Sequence, residues 1–202
     1  MNAMNGLWPR FDSALTAIDA ANAEDPNTEK GDASGRPREL VYGERMSAWL
    51  ARLAPEASEA LRLACRAQHI RRWEIPRANY SMDRAGYRDW RTTLARFHAD
   101  TVTGILRKAG YDEITVARVA SLVRKEKYKT DAEAQTLEDV ACLVFLENHF
   151  ADFAPRQDEA KLVDILQKTW RKMSPAGQQA ALTIKLPGQL QALVAKALAE
   201  LS

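Results

Sequence analysis

The sequence predicts an all-α protein. Apolar residues recur at spacings of three and four in segment after segment. Several of these segments open on helix-start chemistry, as at Asp112, Thr130-Asp131-Ala132-Glu133 and Ser174-Pro175. No stretch carries the alternation and tight-turn residues of a β-hairpin, and no internal repeat is visible.

Phe11, Leu15 and Ile18 mark a first helix over 10–23. Residues 25–38, rich in Pro, Gly, Asn and charge, predict a long exposed loop. Met46, Trp49, Leu50 and Leu53 give a second helix that stops near Pro55. A third is expected from about Pro55 to Arg72, ended by Trp73-Glu74-Ile75-Pro76, because a residue before proline is pushed out of helical geometry. Trp90, Leu94, Phe97, Val102 and Leu106 define a fourth over 87–109, with Gly110 as its C-cap and Asp112 as the next N-cap. Val116, Val119, Ala120 and Val123 form the fifth. The sixth, from Thr130 to about Asn148, contains seven consecutive apolar residues from Val140 to Leu146, so it is apolar all round and central. A seventh follows Leu162, Ile165, Leu166, Trp170 and Met173. Ser174-Pro175 opens a short eighth, and Leu190 to Leu201 form an amphipathic last one.

The length of 202 residues suits a single helical domain spanning 1–202. An apolar fraction of 46% against 28% charge is enough to bury a core. Cys65 and Cys142 have no CxxC spacing, so they read as free buried thiols in a reducing compartment rather than a zinc motif or a disulfide. The opening Met1-Asn2-Ala3-Met4-Asn5-Gly6 lacks a basic and apolar leader pattern, and the seven-residue apolar run is far too short to span a bilayer. A cytoplasmic protein without a membrane partner is expected.

Two histidines and an acidic pair stand among apolar residues. His69 follows Cys65 by four, His98 follows Leu94 by four, and Asp139 precedes Leu143 by four, so all three face the core if helical. Singly, each reads as a hydrogen-bonded core residue. As a set, two imidazoles and a carboxylate on separate helices form the ligand pattern of a divalent metal site with an open position. His69, His98 and Asp139 are therefore the candidate metal ligands, with Mn, Fe or Zn as the ion, and Glu138 the candidate general base. His149 reads as a surface or capping residue.

The charge is unevenly placed. From Arg62 to Arg96 there are nine arginines, no lysine and three acids, a net +6 against +2 for the whole chain. Trp73, Tyr80, Tyr87 and Trp90 are interleaved, and Arg124-Lys125-Glu126-Lys127 adds a second basic turn. Guanidinium forks beside aromatic faces suit phosphates and bases, whereas a generic helix carries such charge as a solvated face. Arg72, Arg77, Lys125 and Trp73 are the candidate substrate-binding residues. Arg84, Arg88, Arg91 and Trp90 are expected to join them on one concave surface beside the histidines. The ligand would be a phosphorylated or nucleotide-like small molecule, or RNA. No GxxxxGK[ST], GxGxxG or GxSxG motif is present, which leaves P-loop, Rossmann and nucleophile-elbow chemistry unsupported.

The order of elements resembles the HD-domain superfamily of metal-dependent phosphohydrolases. The resemblance rests on Tyr42-Gly43-Glu44-Arg45-Met46, Gln68-His69-Ile70-Arg71-Arg72, Arg96-Phe97-His98-Ala99, Ile105 to Tyr111 and Leu137-Glu138-Asp139, and covers about 40–147. It implies an HD-like core with a C-terminal helical extension over 158–202. It also implies metal-assisted hydrolysis of a phosphorylated substrate, the ion lowering the pKa of a bound water. Tyr42 stands where that superfamily has its first histidine, and Gln68-His69 where it has His-Asp. A catalytically degenerate HD-like module that binds nucleotide or RNA is the alternative. A closer similarity, over nearly the whole chain, is to a family of bacterial, fungal and plant proteins classed as a domain of unknown function. It is carried by Tyr42 to Met46, Gln68 to Arg77, Arg96-Phe97-His98 and Leu137-Glu138-Asp139, and implies no activity.

Overall fold

The computed structural model describes residues 9–31 and 33–201. Residues 1–6, read above as lacking a leader pattern, lie outside them. The described chain is all-α, with ten α-helices, short 3-10 turns, and no strand beyond one isolated bridge between Thr28 and Pro37. The helices are α1 (Pro9–Ala23), α2 (Arg38–Leu53), α3 (Glu59–Arg66), α4 (Arg84–Lys108), α5 (Glu113–Val123), α6 (Ala132–Val144), α7 (Phe150–Phe153), α8 (Glu159–Lys172), α9 (Pro175–Ala181) and α10 (Gly188–Ala199).

Short polar side chains set most of the helix starts. Ser58, Asp83, Asp112, Asp131, Asp158 and Ser174 each accept a bond from a first-turn amide, which satisfies donors that the helix leaves open. Asp131, rather than Thr130, is the cap of α6. α2 starts at Pro37, which has no capping group, and there the loop supplies one. Asp25 Oδ2 accepts from Glu39 N at 3.1 Å, and its other oxygen takes both nitrogens of Asn27. The 25–38 segment is thus exposed along most of its length but anchored by two buried acids, Asp25 and Glu29, the latter bonded to Arg45 at 2.5 Å.

α6 is the axis of the molecule. Leu137, Val140, Leu143 and Val144 are fully buried, and α6 packs against α2, α3, α5, α8 and α9. A single apolar cluster runs from Ala14 in α1 to Ala197 in α10, so the C-terminal helices share the core. α4 packs along α5.

α2 and α3 approach so closely that a Cβ added to Gly43 would lie 2.9 Å from the Arg66 carbonyl oxygen, a backbone atom that cannot swing aside. Gly43→Ala should therefore lower stability by about 1–3 kcal/mol, the usual cost of overpacking. A urea midpoint equal to wild type would mean that the two helices separate freely.

Two elements differ from the sequence expectation. The third helix stops at Arg66, six residues early, and 67–71 form turns. Arg71 adopts a left-handed backbone (φ 52°), and its N–H bonds the fully buried Asn22 side chain of α1 at 3.1 Å. A tertiary bond thus replaces the helical ladder that local pattern favoured. The sixth helix changes at Phe145 into a π-helical turn, Phe145–His149, before continuing as α7.

Candidate anion-binding site

Residues at i, i+3, i+4 and i+7 share one face of a helix. On α4 these are Arg91, Leu94, Ala95 and His98, and they form one wall of a cavity of about 380 Å³. The turns after α3 supply Gln68, His69 and Arg72. The end of α5 supplies Val123, Arg124, Lys125 and Glu126. Five cations, Arg72, Arg91, Arg96, Arg124 and Lys125, line it against one acid, Glu126, which Arg124 already engages at 2.6 Å.

His98 is almost wholly buried. Its Nδ1 lies 2.6 Å from the Ile70 carbonyl oxygen, which can only accept, so the proton is on Nδ1 and Nε2 keeps its lone pair. Burial, helped by the fields of Arg72 and Arg91, pushes this imidazole down to about 3 against the opposing pull of the Ile70 bond. It is neutral at pH 7. His69, its ring centroid 6.0 Å from that of His98, stacks on Tyr42 at 4.0 Å and 11°. Burial and then Arg72 hold it well below its ordinary range. His149, half-buried at the N-cap position of α7 with no side-chain cap bond, continues the line, its ring 6.1 Å from that of Tyr42.

Behind His69 lies Glu39, Oε2 to Nδ1 at 3.5 Å. Burial raises its carboxyl from 4.5 to about 7, with Arg72 pulling it back. A carboxyl raised on folding adds stability that is present below 4.5 and lost as pH rises through 7. Glu39→Gln removes that loss. The variant should gain about 2 kcal/mol on wild type between pH 5 and pH 8. Urea titrations at the two pH values check this, and a constant difference would mean that Glu39 is ionised throughout.

Arg72 lies over the Trp90 ring, 4.8 Å from its centroid. Among the described residues neither the Arg72 nor the Arg91 side chain has a hydrogen bond or ion pair. Lys125 occupies the left-handed region (φ 56°) at the C′ position of α5. Its N–H bonds Leu122 O and that of Glu126 bonds Ser121 O, the two closing bonds of a Schellman motif. α4 ends in the same motif with Gly110 at that position. A lysine there costs on the order of 1 kcal/mol relative to glycine, and its side chain returns a bond: Nζ donates to Glu138 at 2.6 Å.

Other residues singled out in the sequence stand elsewhere. Arg77 spends its guanidinium on the carbonyls of Tyr80, Ser81 and Asp83, closing its own loop. Arg77, Trp73, Arg84 and Arg88 are absent from the cavity wall, and Trp90 lies beneath Arg72 with its Nε1 bonded to Ile75 O. Glu138 is held between Lys125 and Lys172. Burial raises its pKa, but the two lysines outweigh it and keep the carboxyl below the usual range, opposite to what a general base at neutral pH needs. Asp139 faces α9: it accepts from Ser174 N at 2.8 Å, Ser174 Oγ at 2.5 Å and Gln135 Nε2 at 2.9 Å. Only His69 and His98 of the expected ligand trio come together. Among the described residues no three His, Cys, Asp or Glu side chains are grouped to hold a metal. The surrounding cations also disfavour one, so these residues do not fit the divalent ion that the HD resemblance implied.

The model of the family described as Domain of unknown function (DUF4202) matches residues 12–194. The chain belongs to that family. The matched segment takes in the whole cavity of this DUF4202 domain. No curated protein and no solved structure matches the chain. No described helix is long and apolar enough to cross a membrane.

Gln68 and Glu39 are wall and backing residues that sequence reasoning did not single out for their roles, whereas Arg91, expected beside the histidines, does line the cavity two helical turns before His98. Glu39 carried no signal, because its contact with His69 spans thirty residues.

Proposed function

We propose that this domain binds a phosphorylated, nucleotide-like small molecule in the cavity between α4, the turns after α3 and the end of α5, without metal-dependent hydrolysis. The observation that carries this reading is the pairing state of Arg72 and Arg91. Two guanidiniums lining one concave site make no ion pair or side-chain hydrogen bond among the described residues, and the buried Glu39 acts on Arg72 only through its field. Clustering such charge is unfavourable unless a negative partner is expected, and phosphate oxygens match the guanidinium fork. The cavity volume lies within the range of small-molecule sites. An RNA strand is less well served, since stacking platforms for bases would be needed. Trp90 is covered by Arg72, and Arg77 lies near both Trp90 and Tyr87. On this reading the domain is a non-catalytic relative of the HD type, and its free buried thiols accord with a reducing, cytoplasmic setting.

The test is thermal melting with nucleoside monophosphates, ribose 5-phosphate and inorganic phosphate. A ligand at a hundredfold its Kd adds about 2.7 kcal/mol, which for a chain of this size raises Tm by roughly 5–10 °C. The shift should shrink with added salt. No shift with any phosphorylated compound would remove the reading.

A further inference from the structure

We propose that Gln68 Oε1 and His98 Nε2 form a neutral acceptor subsite on the wall of this cavity. It takes hydroxyl or amino donors of the same ligand that the arginines hold by its phosphate. The inference rests on the phosphate-binding reading and narrows it to compounds that carry an anion at one end and uncharged hydrogen-bond donors at the other, as sugar phosphates and nucleotides do.

Three buried side-chain polar atoms among the described residues have no protein partner: Gln68 Oε1, His98 Nε2 and Asn148 Oδ1. Two of the three belong to residues lining one cavity. Buried acceptors without partners are rare in folded proteins, because each has given up its water without compensation. Both are fixed in this role by backbone carbonyls. The Gln68 amide donates its nitrogen to Val123 O at 3.3 Å, so the oxygen is the free end. His98 donates Nδ1–H to Ile70 O, which leaves Nε2 as a lone pair. Neither residue can turn its donor into the cavity without leaving a carbonyl bare.

The cavity thus offers two kinds of chemistry, cations and neutral acceptors. Hydrogen phosphate carries a single O–H, too few to satisfy both acceptors. His98 stays neutral well below physiological pH, so the acceptor does not become a third cation beside Arg72 and Arg91. A ligand with a vicinal diol or an exocyclic amine satisfies the pair.

The experiment is isothermal titration calorimetry of the full chain with five probes: inorganic phosphate, ribose 5-phosphate, AMP, 2′-deoxy-AMP and purine riboside 5′-monophosphate, which lacks the amino group. AMP should bind at least about tenfold more tightly than inorganic phosphate, the value of one or two well-made hydrogen bonds. If the ribose supplies the donors, 2′-deoxy-AMP loses about tenfold and ribose 5-phosphate retains the affinity. If the base supplies them, the amine-free analogue loses it. His98→Asn keeps an N–H for Ile70 O and removes the ring acceptor, so it should level the probes, with AMP falling to the affinity of inorganic phosphate. Wild-type protein that binds phosphate but does not discriminate among the five would overturn this inference alone. Absence of binding by every probe overturns it together with the reading on which it rests.

Discussion

Arg72→Met should weaken binding of a phosphorylated ligand about 10- to 100-fold while the protein stays folded. A hydrogen bond to a charged group is worth about 1.5–3 kcal/mol, and 1.4 kcal/mol is a factor of ten. Arg72 makes no ion pair or side-chain hydrogen bond among the described residues, and Glu39, on which it acts only through its field, can take up a proton when that charge is removed. Methionine keeps an unbranched apolar stem over Trp90, and the cost to the fold is confined to a cation–π contact of about 0.5–1 kcal/mol. A second readout separates this role from a packing role. Arg72 is the leading charge that lowers the pKa of His69 and of Glu39, so both should move up in the variant, as proton NMR of the imidazole would show. Arg77→Met makes the contrast, because its guanidinium bonds are all to its own loop. It should lower Tm and leave affinity alone. Unchanged affinity in Arg72→Met, with loss in Arg77→Met, would place the ligand elsewhere.

The second large effect concerns stability. Asp139→Ala should destabilise the domain by about 3 kcal/mol, because one buried carboxylate satisfies Ser174 N, Ser174 Oγ and Gln135 Nε2 together. For a chain of this length that corresponds to a fall in Tm of roughly 6–12 °C. The contact fastens α9 to α6 and is tightly enclosed: a Cβ on Gly177 would come within 2.7 Å of the Asp139 carboxyl carbon. Added Mn²⁺ or Zn²⁺ should not raise the melting temperature. A metal-dependent rise that Asp139→Ala abolishes would restore the three-ligand centre that the residue types suggested.

Much of the architecture was legible because it rests on local chemistry. Asp112, Ser174-Pro175 and Gly110 act within their own turns, and the apolar run of α6 has nowhere to go but the centre. The failures share a cause. Helical spacing alone carried the third helix through His69 to Arg72, whereas it stops at Arg66 and the Arg71 N–H turns to Asn22 Oδ1, forty-nine residues away. Asp139 was read correctly as buried, but its partner lies thirty-five residues downstream, and no pattern around Leu137 announces a serine in α9. The histidine pair was visible through its spacing to Cys65 and Leu94. Its tautomer, and hence its chemistry, depends on a carbonyl that sequence does not locate.

The π turn at Phe145–His149 has a consequence for how this helix came to be phased. Each wide turn holds one residue more than the α-helical ladder needs, which advances everything beyond it by roughly 100° about the axis. With that offset Glu147 takes the Trp49 indole at 2.7 Å while His149 reaches the Tyr42 ring, two contacts to α2 from positions only two apart. A regular helix turns residues two apart to nearly opposite sides. Removing one residue between 145 and 149 would restore the regular ladder and rotate α7 out of phase with the rings it serves. The spare residue therefore behaves as an insertion that the helix absorbed rather than expelled, and it couples the far end of α6 to the stack that ends at His98.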